Sequence, residues 1–206
     1  MSQKEEKYLH QWRSENIAPY VLNITVADVP LTIPPGVFNP SSSLTYSSGM
    51  LLEHIPSDLN EKSVMDMGTG SGIIAIRSAL NNAKNVLAID IDKKALKAAE
   101  VNADLNGCVD SITMVWSDLF HQIPTGQYDY IFANLPIIDV DFDDLYLRLL
   151  NTYEKHLKSG GELWLVYASF GDQNMAAKFF DAHPNLIEKL TKSKLDVQWH
   201  LYKFSK

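Results

Sequence analysis

VMDMGTGSG, residues 64–72, is the stretch that decides how the chain is read. A short apolar run gives way to glycine at every second position, Gly68, Gly70 and Gly72. Such a backbone must turn sharply and come close to a ligand or a neighbouring element. Glycine spacing alone does not name the ligand. A dinucleotide site carries G-x-G-x-x-G, with a pyrophosphate facing the free N–H groups of the following helix. Here the spacing is G-x-G-x-G. Asp66, two residues before the first glycine, would repel a diphosphate and favour an ammonium group.

Downstream of Ser63 the pattern alternates. VMDM reads as a buried strand, GIIAIRSALNN as a helix, NVLAIDI as a strand, and KKALKAAEVNADLNG as a helix with Gly107 placed to cap its end. SITMVW and YDYIFANLP are the next strands, DDLYLRLLNTYEKHLKSGG a helix closed by Gly160 and Gly161, and ELWLVYAS a fifth strand. Apolar strands separated by helices imply a parallel sheet covered on both faces, a doubly wound α/β domain. After a helix at DQNMAAKFFDAHP, the runs NLIEKLTKS and KLDVQWHLYKF are too close together for a crossover helix. They are expected to pair antiparallel at the sheet edge, which makes a mostly parallel sheet of seven strands. A nicotinamide-binding sheet would more often continue with a parallel sixth strand.

Upstream, Tyr8, Leu9 and Trp12 recur at helical spacing, and YVLNITVADVPLTI predicts a hairpin turning at Ala27 and Asp28. Pro34 to Gly49 is rich in proline, serine and glycine and reads as loop, and MLLEHIPSDL as a helical turn or two. The expected division is therefore an extension over residues 1–62 and a main domain over 63–206.

The 206 residues carry a formal net charge of -7, which offers no broad surface for tracking nucleic-acid phosphates. With 46% hydrophobic residues and no apolar run of spanning length, a membrane protein is not expected. Cys108 is the only cysteine, and the charged first residues lack a secretory h-region, so a cytosolic protein is expected. The six histidines are scattered without metal-ligand spacing, and no metal site is expected.

The combination D-x-G-x-G-x-G after a buried strand resembles motif I of the class I S-adenosylmethionine-dependent methyltransferases. The resemblance implies a Rossmann-like methyltransferase fold with S-adenosyl-L-methionine as cofactor. Gly68, Thr69, Gly70 and Gly72 would let the backbone approach it, and Asp66 would contact its methionine end. Asp90 ends the second strand 20 residues beyond Gly70, where a strand-end carboxylate can take both ribose hydroxyls. Asp92, two residues on, reads as an N-cap. Asp118 matches the family's acceptor for the adenine amino group, with Leu119 or Ile91 on the purine face.

FANLPI, residues 132–137, resembles the (N/D/S)-P-P-(Y/F) motif of methyltransferases that modify planar nitrogens, with leucine in its second place and isoleucine in its fourth. The resemblance implies that the Asn134 side-chain oxygen and the Leu135 carbonyl accept hydrogen bonds from a target NH2 group, with Pro136 completing the motif. Asn134 also borders the cofactor. The lead-in PPGVFNPSSSLTYSSGMLLEHI is similar to that of small-domain enzymes that methylate release-factor glutamine amides or ribosomal RNA guanine amines. It implies a loop over the cofactor, with Val37, Phe38, Thr45 and Ser47 in contact. Asp139, Asp141, Asp143 and Asp144 form either a solvated helix cap or an acidic lip facing the substrate. The acceptor is a protein, an RNA or a small molecule. Two alternatives from other classes are a nicotinamide or nucleotide oxidoreductase on the same kind of sheet and a module that binds the cofactor without transferring a methyl.

Overall fold

A computed structural model describes residues 3–41, 45–121, 123–138, 140–194 and 196–206. Asp139 lies outside them. Helix α1 (Gln3–Asn16) leads into an antiparallel hairpin of β1 (Leu22–Val26) and β2 (Val29–Ile33). Its turn is the expected one, with Ala27 and Asp28 both at positive φ, which suits a two-residue hairpin turn. Helix α2 (Ser47–His54) starts inside the segment expected as loop.

The main sheet is built from β3 (Ser63–Met67), β4 (Asn85–Asp90), β5 (Ile112–Trp116), β6 (Tyr128–Ala133), β7 (Leu157–Ala168), β8 (Leu186–Lys194) and β9 (Val197–Ser205). They lie side by side in the order β5-β4-β3-β6-β7-β9-β8. The first five are parallel, β9 returns antiparallel beside β7, and β8 closes the edge antiparallel to β9. Helices α3 (Ile73–Leu80) and α4 (Lys93–Leu105) supply the crossovers on one side of the switch between β3 and β6. Asp92 caps α4 through the Lys94 N–H, and Gly107 follows it at positive φ, both as expected.

Neighbouring residues of a strand serve two cores. Val64 and Phe132 pack into the layer that holds α3, α4 and the hairpin, whereas Met65, Ile131 and Ala133 pack into the opposite layer. This is why the strands are apolar along their length.

The stretch from Asp143 to Gly161 departs from the single helix expected. A π-wound segment, Asp143–Leu147, runs into Arg148–Leu150, the chain turns, a short helix spans Tyr153–His156, and β7 begins at Leu157. Gly160 and Gly161 sit inside that strand, where pairing skips from Tyr128↔Leu157 to Tyr130↔Glu162. A Cβ at Gly161 would come within 2.9 Å of the Tyr128 carbonyl oxygen. These glycines serve a bulge and a close backbone approach, not a helix cap. Among the described residues no helix is long and apolar enough to cross a membrane.

The hairpin is fastened by Asn102 of α4, which is fully buried. Its Oδ1 accepts from the Thr32 N–H at 2.7 Å, and its Nδ2 donates to the carbonyls of Thr32 at 3.1 Å and Ser71 at 2.8 Å. One amide thus ties β2, the glycine turn and α4 together. Asn102→Ala would leave buried backbone groups unpaired and is expected to cost about 2–4 kcal/mol, read from urea unfolding. A loss within about 0.5 kcal/mol would show that the clamp is dispensable.

Candidate active site

In an open α/β sheet, ligands bind beyond the carboxyl ends of the strands at the point where strand order reverses. Here β3 and β6 are adjacent at that point, with Met67 opposite Ala133. The glycine loop leaves one strand and Asn134 the other. Their contact is tight, since a Cβ on Gly68 (φ +70°) would come within 2.9 Å of the Leu135 side chain.

The loop is held from inside by Asp66. One carboxylate oxygen accepts from the Thr69 hydroxyl at 2.6 Å and from the Ala75 N–H, in the first turn of α3, at 3.0 Å. Backbone bonds from Gly68 and Thr69 to the Ile89 carbonyl, both 2.9 Å, tie the loop to β4. The glycines then divide their duties. Gly72 (φ +86°) sets α3 against α4, because a Cβ there would meet the Ala99 Cα at 2.9 Å. Gly70 (φ +56°) has nothing nearer than the Gly68 carbonyl oxygen, at 3.9 Å, where a side chain would project.

Asp90 stands at the end of β4. One of its oxygens accepts from the Gly70 N–H at 3.0 Å and the other from the Asp92 N–H at 2.9 Å. A carboxylate offers about four acceptor positions, so each oxygen keeps capacity for a further donor. Burial raises the Asp90 pKa, opposed by those two N–H groups.

A cavity of about 620 Å³ opens beyond these strand ends, within the range of small-molecule sites. Its wall brings together Asp66, Gly68, Thr69 and Gly70 of the loop with Asp90 and Ile91 after β4. Asp118 and Leu119 after β5, and Asn134, Leu135 and Pro136 after β6, complete it. Val37, Phe38 and Ser47 also line it, while Thr45 stands behind Ser47 and donates to its hydroxyl at 2.9 Å. Gly72 and Thr45 are the predicted cofactor contacts outside this wall, Gly72 being taken up by α4. Leu119 adopts a positive φ of 48°, and the Ser117 hydroxyl lies 2.8 Å from its carbonyl. Non-glycine strain of this kind collects at functional loops.

Several wall residues carry no local sequence signal. Ser48 of α2 accepts from the Asn134 Nδ2 at 3.1 Å, with Ser47 at 3.4 Å. The Asn134 carbonyl oxygen is therefore what the side chain offers to a donor. Arg148 pairs with Asp118 at 2.7 Å and with Asp144 at 3.4 Å. Asp141 accepts from the N–H groups of Asp143 and Asp144, and Asp141 and Asp144 also line the cavity, so the acidic run is both a helix cap and a lip. Among the described residues no group of three or more histidine, cysteine, aspartate or glutamate side chains could hold a metal ion.

The chain matches the family model described as methyltransferase small domain over residues 28–193. It belongs to that family. The ribosomal protein L11 methyltransferase of Carboxydothermus hydrogenoformans is 33% identical over 171 residues, covering 76% of this chain and 53% of that protein. A Methanocaldococcus jannaschii protein provisionally assigned as a protein N5-glutamine methyltransferase is 32% identical over 140 residues, 68% of this chain and 67% of its own. The chain thus spans about half the length of the L11 enzyme it matches. The crystal structure of the M. jannaschii tRNA m1G37 methyltransferase superposes with a TM-score of 0.69 at 20% identity, over 91% of this chain and 57% of that one, a likeness of fold.

Burial pushes the Asp66 carboxyl up from 3.8 to about 7, against the bonds from Thr69 and Ala75 that favour the anion. The folded state therefore holds this proton more tightly than the unfolded chain does. That contribution to stability is complete below about pH 4 and is lost as pH rises to about 7. Asp66→Asn keeps an acceptor for the Ala75 N–H and removes the titration. Urea unfolding across that window is expected to show a falling stability in the parent and a flatter curve in the variant; parallel curves would mean an ordinary carboxyl.

Proposed function

We propose that this chain is an S-adenosylmethionine-dependent methyltransferase acting on a planar amide or exocyclic amine of a protein or RNA. The observation that carries the reading is one cavity lined both by Asp90, with acceptor capacity to spare, and by the oriented amide of Asn134.

The residues present fit the cofactor. Gly70 leaves open space on the cavity side of the loop, and Asp90 can accept from a ribose diol. Asp118 has one oxygen bound by Arg148 and the other for an adenine amine, with Leu119 and Ile91 beside it. Asp66, at the base of the loop, fixes the backbone that would meet the methionine end, and Thr69 is held next to it. When bound, the cofactor supplies an electrophilic methyl group on a sulfonium.

The chain's own work is alignment. Asn134 Oδ1 and the Leu135 carbonyl would accept the two hydrogens of the target NH2, while Pro136 holds the turn that presents them. This grip matters because the lone pair of an amide or aryl amine is delocalised. Fixing both hydrogens directs it and stabilises the charge that develops on nitrogen. The serines of α2 keep Asn134 from presenting its NH2 to the substrate instead. The net charge of -7 and the lip at Asp141 and Asp144 favour a protein acceptor over RNA. The single, unpaired Cys108 supports a cytosolic location.

The departure of Leu135 and Ile137 from the motif favours one second reading, a module that binds the cofactor and transfers nothing. Calorimetry and labelled-methyl transfer separate the two. Asp90→Ala is expected to weaken S-adenosylhomocysteine binding by about tenfold or more, the loss of hydrogen bonds to a charged group. Asn134→Ala should bind it like the parent and slow transfer by about 100-fold. Transfer of tritiated methyl into a whole-cell lysate, then protease or nuclease, names the acceptor class. Counts that survive both mark a small molecule, and binding without counts establishes the second reading.

A further inference from the structure

The motif FANLPI places isoleucine where planar-nitrogen enzymes carry an aromatic ring. The fold brings a ring to that place from elsewhere in the chain. Residues 168–171, between β7 and the helix that follows, form a tight turn closed by the Gly171 N–H on the Ala168 carbonyl at 3.0 Å. Gly171 presses onto the motif, for a Cβ there would lie 2.7 Å from the Ile137 Cγ2 and against the Tyr167 hydroxyl. The turn therefore carries Phe170 alongside Ile137, and both line the same cavity as Asn134.

The turn is fastened on several sides. Ser169 donates its N–H to the Gln198 carbonyl at 2.8 Å, and its hydroxyl oxygen accepts the Gln198 N–H at 3.0 Å. The Gln173 amide donates to the carbonyls of Ala168 and Gly171, both at 3.1 Å. Behind Phe170 stands Trp199 of β9, edge to face, with ring centroids 5.4 Å apart and planes at 82°. Trp199 is 1% exposed yet reaches the cavity wall, and its indole N–H is buried without a hydrogen-bond partner among the described residues. The indole's place on the wall and behind the Phe170 ring fits a role in setting the shape and apolar character of this wall.

We infer that Phe170, backed by Trp199, is the aromatic wall of the acceptor subsite, against which the planar group bearing the target nitrogen lies while Asn134 grips its hydrogens. Phe170 is the binding residue and Trp199 the positioning residue. The assignment rests on the acceptor reading of Asn134 given above. It also accounts for the isoleucine: a ring at residue 137 would compete with the Phe170 turn for one space.

The test uses the full chain, tritiated S-adenosylmethionine and a whole-cell lysate as the acceptor source, with initial transfer rates followed against lysate concentration. Phe170→Ala is expected to raise the half-saturating lysate concentration about fivefold or more, the scale of one lost aromatic contact. Its S-adenosylhomocysteine affinity by calorimetry should stay within about twofold of the parent. Phe170→Tyr keeps the ring and should restore half-saturation. Trp199→Phe keeps a smaller ring behind Phe170 and should shift half-saturation the same way as Phe170→Ala but less. Asn134→Ala should instead lower the limiting rate. Lysate labelling in which Phe170→Ala saturates like the parent overturns the subsite alone. A parent that binds S-adenosylhomocysteine and labels nothing overturns the transfer reading and the subsite with it.

Discussion

A carboxylate with almost no solvent around it governs this molecule. Asp66 is 2% exposed, and charge in such a place is unfavourable unless it is well bonded. Two bonds, from the Thr69 hydroxyl and the Ala75 N–H, oppose that burial without overcoming it, and they fix the loop that follows β3. The end of the strand, the apex of the loop and the first turn of α3 are tied to one atom, Oδ2. Because that loop is fixed, the Gly70 N–H meets Asp90, and the space beside Gly70 stays open toward the cavity. An apolar residue could fill the volume of Asp66 and would not join these three elements.

The second constraint is the switch in strand order. Since β3 and β6 are neighbours, the loop after one and the motif after the other must pack side by side, and Gly68 against Leu135 is that packing. Leucine in the motif's second place is therefore not an idle departure. It fills the space that only a glycine at residue 68 leaves. The glycine loop and the Asn134–Pro136 turn form one packed unit, and displacement of either is felt by the other.

What the sequence made legible was local. The hairpin turn, the strand–helix alternation, the cap at Asp92 and the acids at the strand ends each depend on a few neighbouring residues, and spacing reveals them. The serines that orient Asn134 lie 86 and 87 residues away from it, and no short pattern announces that meeting. Phe170 and Trp199 are likewise joined only by the antiparallel return of β9. Gly160 and Gly161 mislead for the opposite reason. Two glycines after a helical pattern are a sound capping signal, but the carbonyl oxygens of Tyr128 and Asp129, at 2.9 and 3.1 Å from a Cβ at Gly161, impose a tertiary requirement that gives them another use. Gly72 shows the same ambiguity on a smaller scale, since helix packing alone accounts for it.

The π-wound segment Asp143–Leu147 and its continuation through Leu150 join both ends of the cavity. Tyr146, fully buried, donates its hydroxyl to the Pro136 carbonyl at 2.8 Å and so holds the acceptor motif from behind. Two residues later Arg148 holds Asp118, on the opposite wall. That ion pair is about 42% exposed on each side, so it contributes little to stability, and orientation is what it can supply. Regular α-winding separates residues two apart by about 200° around the axis. The wider π turn changes that separation, and such insertions recur at functional sites because they re-aim side chains. One irregular helix thereby sets the positions of Pro136 and Asp118 together. Displacement of this helix would move Pro136 and Asp118 together, which couples the two sides of the cavity through a covalent element.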